Sequence, residues 1–311
     1  MIEPGQSGEC RVRINVDDVL RTVVYGYPCS IHTDPVEKKP LFHFLPGSEI
    51  LSIATVGCNL HCKNCQNWEI SQANPEQMTA YVCSPEKLVG LTKANDCPSL
   101  AYTYTDPVIY YEYTYDTAKL ARAAGIRNVL VTAGYVNAEP WKRLLEYVDA
   151  ANIDLKAITD EFYIKVCSGT LKPVQDALVL AKASGILLEV TNLIIPTLND
   201  DPEQIRRLAR WIKVNLGPET PLHFSRFFPR YKMRHLPSTS ARALDLAREI
   251  AISEGLQYVY IGNIRSKEGQ NTYCPGCKAL LIERRGYIIL QNRLSDGLCP
   301  DCGTEIYGVW K

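Results

Sequence analysis

Seven of the twelve cysteines fall into two groups whose spacing constrains what this 311-residue chain can be built around. Cys58, Cys62 and Cys65 form CxxxCxxC, and Cys274, Cys277, Cys299 and Cys302 form CxxC-x21-CxxC. Reduced thiols clustered at such intervals read as metal ligands rather than disulfides. Three thiolates at this spacing can grip three irons of a 4Fe-4S cube and leave the fourth iron without a protein ligand. A plainer reading is a zinc site completed by His61 or a distant residue. The quartet differs in kind, because two CxxC knuckles place four thiolates on one tetrahedral ion and leave no open position. Cys10, Cys29, Cys83, Cys97 and Cys167 stand singly and are expected to pack as small hydrophobes.

Charge and composition exclude several classes. Lys and Arg number 34 against 34 Asp and Glu, with 46% hydrophobic and 22% charged residues. That balance is ordinary for a soluble globular protein and excludes a disordered tail or a polyanion-coating protein. No apolar stretch approaches the roughly 18 residues of a membrane span, and Met1-Ile2-Glu3-Pro4 lacks the blocks of a signal peptide. A cytoplasmic location is the expectation.

Along the chain, β-rich runs at residues 49–56, 99–105, 127–133, 151–156, 186–195, 222–227 and 256–264 alternate with helical patterns. Helices are expected at 114–125, 173–185, 202–216 and 239–255, with apolar residues at i, i+3 and i+4 and often a terminal glycine. This alternation predicts an α/β fold with a parallel sheet closed wholly or partly into a barrel. Residues 10–25 read as two short strands around Asp17-Asp18, followed by an irregular stretch broken by Pro35, Pro40 and Pro46. The expected division is an N-terminal β appendage (1–47), a barrel (48–265) and a four-cysteine metal-binding module (266–311).

The triplet follows the first strand of the βα series, and in that place it resembles the radical SAM superfamily. Tyr104-Thr105-Asp106 at the end of the second strand is similar to the Gly-Gly-Glu turn that holds the ammonium of S-adenosylmethionine (SAM). A helix N-cap is the other reading of Asp106. Thr132-Ala133-Gly134-Tyr135 resembles the turn that approaches SAM in glycyl-radical-enzyme activases. Ile153-Asp154-Leu155-Lys156 resembles their Asp-Leu-Lys motif. Alternation sends Asp154 and Lys156 to one face of their strand, as catalytic groups or as a simple ion pair. Asn192, before Ile195-Pro196 and Asn199-Asp200, is a candidate SAM contact or a core amide. His223 is a candidate contact or a core histidine. Asn64 stands where such triplets carry an aromatic residue beside the adenine, and Trp68 or Tyr135 is expected to compensate.

With residues 34–44, 102–107, 221–229 and the end cysteines, these motifs resemble the AmmeMemoRadiSam-system radical SAM enzymes, relatives of pyruvate formate-lyase activating enzyme. The resemblance implies a partial TIM-like (β/α)6 radical SAM barrel with a small zinc-ribbon or rubredoxin-like module. It implies cleavage of SAM at a 4Fe-4S cluster to a 5′-deoxyadenosyl radical that abstracts hydrogen. It further implies an electron donor such as ferredoxin or flavodoxin, and Memo-like and AMMECR-type partners. The end quartet is expected to hold zinc, or iron if rubredoxin-like. Arg226, Arg230, Lys232, Arg234 and His235, beside Phe227, Phe228 and Tyr231, offer either an anion-binding surface or a solvated loop. Rival readings are an RNA-modifying radical SAM enzyme, which zero net charge disfavours, and a non-catalytic iron–sulfur sensor.

Overall fold

The computed structural model describes residues 2–266 and 268–311. A hairpin of β1 (Arg13–Val16) and β2 (Val19–Thr22) opens the chain, and β3 (Ser30–Pro35) leads into the main sheet. Then come β4 (Glu49–Ala54), β5 (Ser99–Tyr102), β6 (Arg127–Thr132), β7 (Ala150–Asp154), β8 (Leu187–Ile194), β9 (Leu222–Arg226) and β10 (Val259–Gly262). From β4 to β10 every neighbour pairs in parallel, while β3 runs antiparallel along β4. The sheet order is β10-β9-β8-β7-β6-β5-β4-β3, so β10 and β3 are its two edges and do not pair.

Helices fill the six crossovers: α1 (Trp68–Ser71) and α2 (Pro85–Ala94), α3 (Tyr111–Ala123), α4 (Ala138–Leu145), α5 (Asp160–Phe162) and α6 (Leu171–Ala183), α7 (Pro202–Leu216), and α8 (Ala241–Ser253). Six βα units and a seventh parallel strand make the expected partial (β/α)6 barrel. Local sequence explains α7. In α7, Ile205, Leu208, Ala209, Ile212 and Leu216 face inward at helical spacing. Asp201 caps its first turn by accepting from Gln204 N, and Pro202 occupies the position where a missing N–H is harmless.

All seven expected parallel strands are present, and each leaves the ladder earlier than its apolar run suggests. The cause is clearest after β5. Tyr104 sits at φ +64, and Thr105 N donates to Thr103 O at 2.8 Å, a γ-turn that ends the extended run. The hairpin expected around Asp17-Asp18 forms with both residues at positive φ, as a tight two-residue turn requires. Strand β3 was not expected. Its sequence SIHTDP shows no apolar alternation, because as an edge strand it buries little on either face.

Beyond β10 lies a three-stranded antiparallel sheet of β11 (Thr272–Tyr273), β12 (Leu280–Arg285) and β13 (Ile288–Asn292). It is clamped to the barrel floor. The segment after β3 puts Val36, Leu41 and Phe44 against Ile50, Ala101, Val129, Ala150 and Leu187 from the barrel interior. Phe44 pairs with Val309, and Val309 N donates to His43 O at 2.7 Å. Arg284 is buried, with Nη2 donating to Phe42 O at 2.7 Å and its guanidinium 4.4 Å from the Phe42 ring centre.

His43 locks this floor. Its Nδ1 lies 2.5 Å from Tyr307 O and its Nε2 lies 2.6 Å from the Tyr260 hydroxyl. A carbonyl only accepts, so Nδ1 carries the hydrogen and Nε2 accepts from Tyr260, a pattern that needs the neutral ring. Burial pushes its pKa down to about 4 from 6.5. The folded chain therefore binds fewer protons than the unfolded one between those values. This contribution is complete above pH 6.5 and is lost as pH falls towards 4. We expect melting temperature to fall across that window, by up to about 3 kcal/mol of stability from this group. His43→Phe should be less stable at pH 7 but show a flatter decline. An equally steep decline in a pH series of thermal melts would refute the assignment.

Candidate functional site

The loop that leaves β4 begins at Gly57, with φ +91. A Cβ there would stand 2.4 Å from Cys10 O, so the N-terminal segment can pack closely only against glycine. Backbone bonds then fix the cysteine loop. His61 N donates to Cys167 O and Lys63 N to Val166 O, both at 2.9 Å, on the π-helical turn Tyr163–Cys167. Asn59 Nδ2 reaches Tyr135 O at 2.7 Å. From this loop Cys58, Cys62 and Cys65 all face one cavity of about 430 Å³.

The cavity also receives the ends of the following strands. Asp106, Thr132, Asp154, Lys156 and His223 line it together with Tyr104 and Thr105. The C-terminal ends of parallel strands converge on one mouth, which is why residues scattered over 166 positions of sequence meet here. Lys156 Nζ binds Asp154 Oδ2 at 2.7 Å. Burial works against the lysine's charge, but the adjacent Asp154 carboxylate holds its pKa well above the usual value.

Asp106 is buried and ties β5 to β6. Its Oδ1 accepts from Thr132 Oγ1 at 2.8 Å and from Val108 N at 3.3 Å, and its Oδ2 accepts from Ala133 N at 2.9 Å. A carboxylate offers about four acceptor sites, so roughly one remains for a ligand. Burial pushes its pKa up against these three bonds. It does not cap a helix, since α3 starts at Tyr111 with Tyr110 in the cap position. Thr105 Oγ1 donates to Thr55 O at 2.9 Å. The Tyr104 hydroxyl donates to Asp34, and Lys39 lies over its ring at 4.5 Å. Both side chains are thus committed to the protein, which leaves their backbone turn at the mouth.

Asn192 takes the core-amide reading and not that of a cavity contact. Alternation along β8 sends Thr191 and Leu193 to the cavity and Asn192 to the other face, where its Nδ2 donates to Leu155 O at 2.7 Å and Lys156 O at 3.2 Å. It braces the Asp154–Lys156 turn from behind, as does Asn199 through Lys156 O at 2.8 Å. His223 does line the cavity, with Nε2 2.6 Å from Glu189 Oε2 and its ring against Phe42 and Tyr260. Trp68 stacks on Tyr231 at 5.2 Å, and neither it nor Tyr135 reaches the cavity, whereas Asn64 does. His61 turns to Gln72 and Glu9, so it does not complete a zinc site with the triplet. The side chains of Arg230, Lys232, Arg234 and His235 are exposed beside the cysteine loop and do not line the cavity.

Three features escaped the sequence reading. Cys167, placed among the single buried cysteines, has its thiol beside that of Cys62. Buried Asp34 and Lys39 and half-buried Tyr104 form a polar group, with Lys39 Nζ 2.6 Å from Asp34 Oδ2. Glu37 lines the cavity from below. The segment 34–44 was singled out in the sequence as a family motif, but without roles for Asp34, Glu37 or Lys39.

The C-terminal quartet is compact. Cys274 and Cys302 sulfurs are 3.5 Å apart, Cys277 and Cys299 sulfurs 3.6 Å, and all four lie within 4.8 Å of one another. Metal–sulfur bonds of about 2.3 Å at tetrahedral angles place sulfurs about 3.8 Å apart, so this site fits a single ion. The knuckles match in detail: Lys278 N donates to Cys274 O in one and Gly303 N to Cys299 O in the other, both residues at positive φ. Hydrogen bonding by Thr304 brings the Cys302 thiol down to about 6, towards the thiolate that a metal needs.

Residues 52–212 match the radical SAM superfamily, and the chain belongs to that family. It is therefore an enzyme whose family cofactors are SAM and a 4Fe-4S cluster. Over 98% of its length it is 48% identical to Uncharacterized protein MJ0808 of Methanocaldococcus jannaschii, covering 92% of that protein. Over 50% of its length it is 28% identical to the pyruvate formate-lyase-activating enzyme of Clostridium pasteurianum, covering 66% of that enzyme. Among solved structures, Streptococcus suis SuiB bound to S-adenosylmethionine superposes with a TM-score of 0.53 at 12% identity, over 73% of this chain and 53% of that one. A radical SAM methyltransferase from Sphaerobacter thermophilus gives 0.53 at 14% identity, over 70% and 68%. These two likenesses concern the fold. Among the described residues no helix is long and apolar enough to cross a membrane.

A metal on the quartet should contribute folding free energy rather than reactivity. Cys274→Ser, at a buried ligand, should lower the melting temperature and release one equivalent of metal while the iron–sulfur absorbance persists. Metal analysis of wild type and variant checks this. Unchanged stability and metal content would contradict it.

Proposed function

We propose that Cys58, Cys62 and Cys65 hold three irons of the 4Fe-4S cluster, and that the strand ends opposite them bind SAM for activase-type radical chemistry. The observation that carries this reading is the meeting of three cysteines with Asp106, Thr132, Asp154 and Lys156 in one cavity. The donor set suits a cube. Unlike the quartet, these three cysteines are not drawn into a group spanning 4.8 Å, as ligands of one ion would be. Leu60 N donates to Cys58 Sγ at 3.5 Å, and Cys65 Sγ lies 3.3 Å from Ser71 Oγ, contacts that tune cluster sulfurs. When bound, the cluster supplies one electron that cleaves SAM to methionine and a 5′-deoxyadenosyl radical.

The chain's own residues do the positioning. The remaining acceptor site of Asp106 suits an ammonium, because charge-assisted bonds are about twice as strong as neutral ones. Thr132 holds Asp106 while accepting from Gly134 N at 3.0 Å, which fixes the β6 turn. Asp154 and Lys156 present an acid and an ammonium to the mouth, and Asn192 and Asn199 keep their turn rigid. His223, held by Glu189, faces the inner end of the cavity as a contact for cofactor or substrate.

Residues 48–265 form the catalytic barrel in this reading, with 1–47 and 266–311 closing it, and the quartet holds zinc. The likeness to activating enzymes supports a flavodoxin or ferredoxin as reductant. The AmmeMemoRadiSam pattern of residues 34–44, 102–107 and 221–229 adds Memo-like and AMMECR-type partners.

Anaerobic reconstitution with SAM and a reductant should give 5′-deoxyadenosine and methionine, and Cys58→Ala, Cys62→Ala or Cys65→Ala should abolish both cluster and product. Asp106→Ala should weaken SAM binding about tenfold or more while the cluster spectrum persists, the loss of one charged hydrogen bond. S-adenosylhomocysteine as the main product, or normal SAM affinity in Asp106→Ala, would overturn the chemistry and the assignment respectively.

A further inference from the structure

We propose that the basic loop 226–235, packed against the cysteine loop, is the docking surface for an acidic one-electron carrier protein that reduces the cluster. This deepens the radical SAM reading and rests on it. A chain whose 34 Lys and Arg balance 34 Asp and Glu places four Lys or Arg residues and no acid in this loop. Lys232 N donates to Lys63 O at 3.1 Å, which sets the loop beside the segment between Cys62 and Cys65. Lys63, Arg230, Lys232 and Arg234 are exposed, and among the described residues none of them has a carboxylate partner. Cations elsewhere on the surface do, Lys165 with Glu161, Lys172 with Asp176 and Arg210 with Glu254. Like charges gathered without counter-charges repel one another, so this grouping favours an anionic surface supplied from outside.

Aromatic rings lie among these charges. Trp68, just after Cys65, stacks on Tyr231 with ring centres 5.2 Å apart and planes 9° from parallel. Phe228 is 39% exposed, with the Arg226 guanidinium 4.9 Å from its ring centre. Aromatic anchors beside a charged rim are the anatomy of a protein interface. The loop is also pinned: Met233 is buried, its N donates to Arg230 O at 2.9 Å, and Phe227 N donates to Thr239 Oγ1 at 3.0 Å. A surface already in shape costs less to dock against. Reduction moves one electron, with the carrier oxidised by one as the cluster is reduced by one and no bond made or broken. The carrier therefore has to come close to the cysteine loop, and an acidic one is steered to it by charge. Zero net charge and confinement of the cations to this small area disfavour a nucleic acid as the occupant.

The test combines a map of contacts with a comparison of reductants. Reconstituted enzyme is cross-linked to an acidic flavodoxin and to an acidic ferredoxin with a carbodiimide, which joins lysines to carboxylates only where they touch, and the linked peptides are identified by mass spectrometry. Links should involve Lys63 or Lys232. 5′-Deoxyadenosine formation is then driven either by the reduced carrier or by dithionite, in wild type and in the combined variant Arg230→Glu, Lys232→Glu, Arg234→Glu, with folding checked by melting curves. The variant should lose about tenfold or more of the carrier-driven rate at low salt and keep the dithionite-driven rate, and salt of about 0.5 M should slow the wild type with the carrier alone. Cross-links with both carriers that fall elsewhere or are absent, an unchanged carrier-driven rate, or equal loss of both rates in a folded variant would each overturn the proposal. So would binding of a tRNA pool that the variant loses while its carrier-driven rate holds. Should the variant not fold, the cross-link map and the wild-type salt dependence decide. Absence of 5′-deoxyadenosine with dithionite would instead count against the radical SAM reading, and the cross-link map would still report on docking.

Discussion

A curved parallel sheet that stops short of closure leaves two edges and an interior open at the side and both ends, and the rest of this structure answers that constraint. Unpaired edges and a wet barrel interior are both liabilities. The antiparallel strand β3 covers one flank of β4. The segment behind it turns under the barrel and drives Val36, Leu41 and Phe44 into the floor. Sealing that floor buries charge, and the chain manages it by pairing: Glu189 accepts from His43 N at 2.8 Å and binds His223 at 2.6 Å, so a fully buried carboxylate satisfies both oxygens. The mouth at the opposite end stays open, and there the strand ends are braced by side-chain bonds in place of a closed ladder.

The two cysteine groups differ in how their sulfurs are spaced. In the quartet, sulfurs 3.5 and 3.6 Å apart converge on a single point and leave no room for a further ligand. In the triplet, the loop is spread by backbone bonds to Tyr135, Val166 and Cys167, so its sulfurs ring a space larger than one ion. The same residue type thus gathers on one point at one end of the molecule and lines an open cavity at the other.

Much of this was legible in the sequence because it is local. Parallel strands buried on both faces read as apolar runs, so β4 to β10 were found, and cysteine spacing needs no tertiary information. What was hidden depends on distant contacts or on the choice of face. Period-two alternation relates Asn192 to its neighbours but does not say which face is inward, and β8 turned it away from the cavity. The Tyr104 turn lies at the cavity as its sequence suggests, but the bond from its hydroxyl to Asp34, 70 positions earlier, is a distant contact no local pattern shows. Glu37 gained its setting only when Gly47 and the C-terminal hairpin enclosed it.

The floor contact between His43 and Tyr307 spans 264 positions of chain. During synthesis the barrel strands and the cysteine loop, like Tyr260, are made before Tyr307, the C-terminal partner of His43, since domains fold as their residues emerge. For that interval the barrel has its mouth but no sealed base, and the pairing of Phe44 with Val309 is among the last contacts available to it. The cysteine loop and the sealed chamber are thereby separated in time: Cys58, Cys62 and Cys65 can take their places in a chain whose inner chamber does not yet exist.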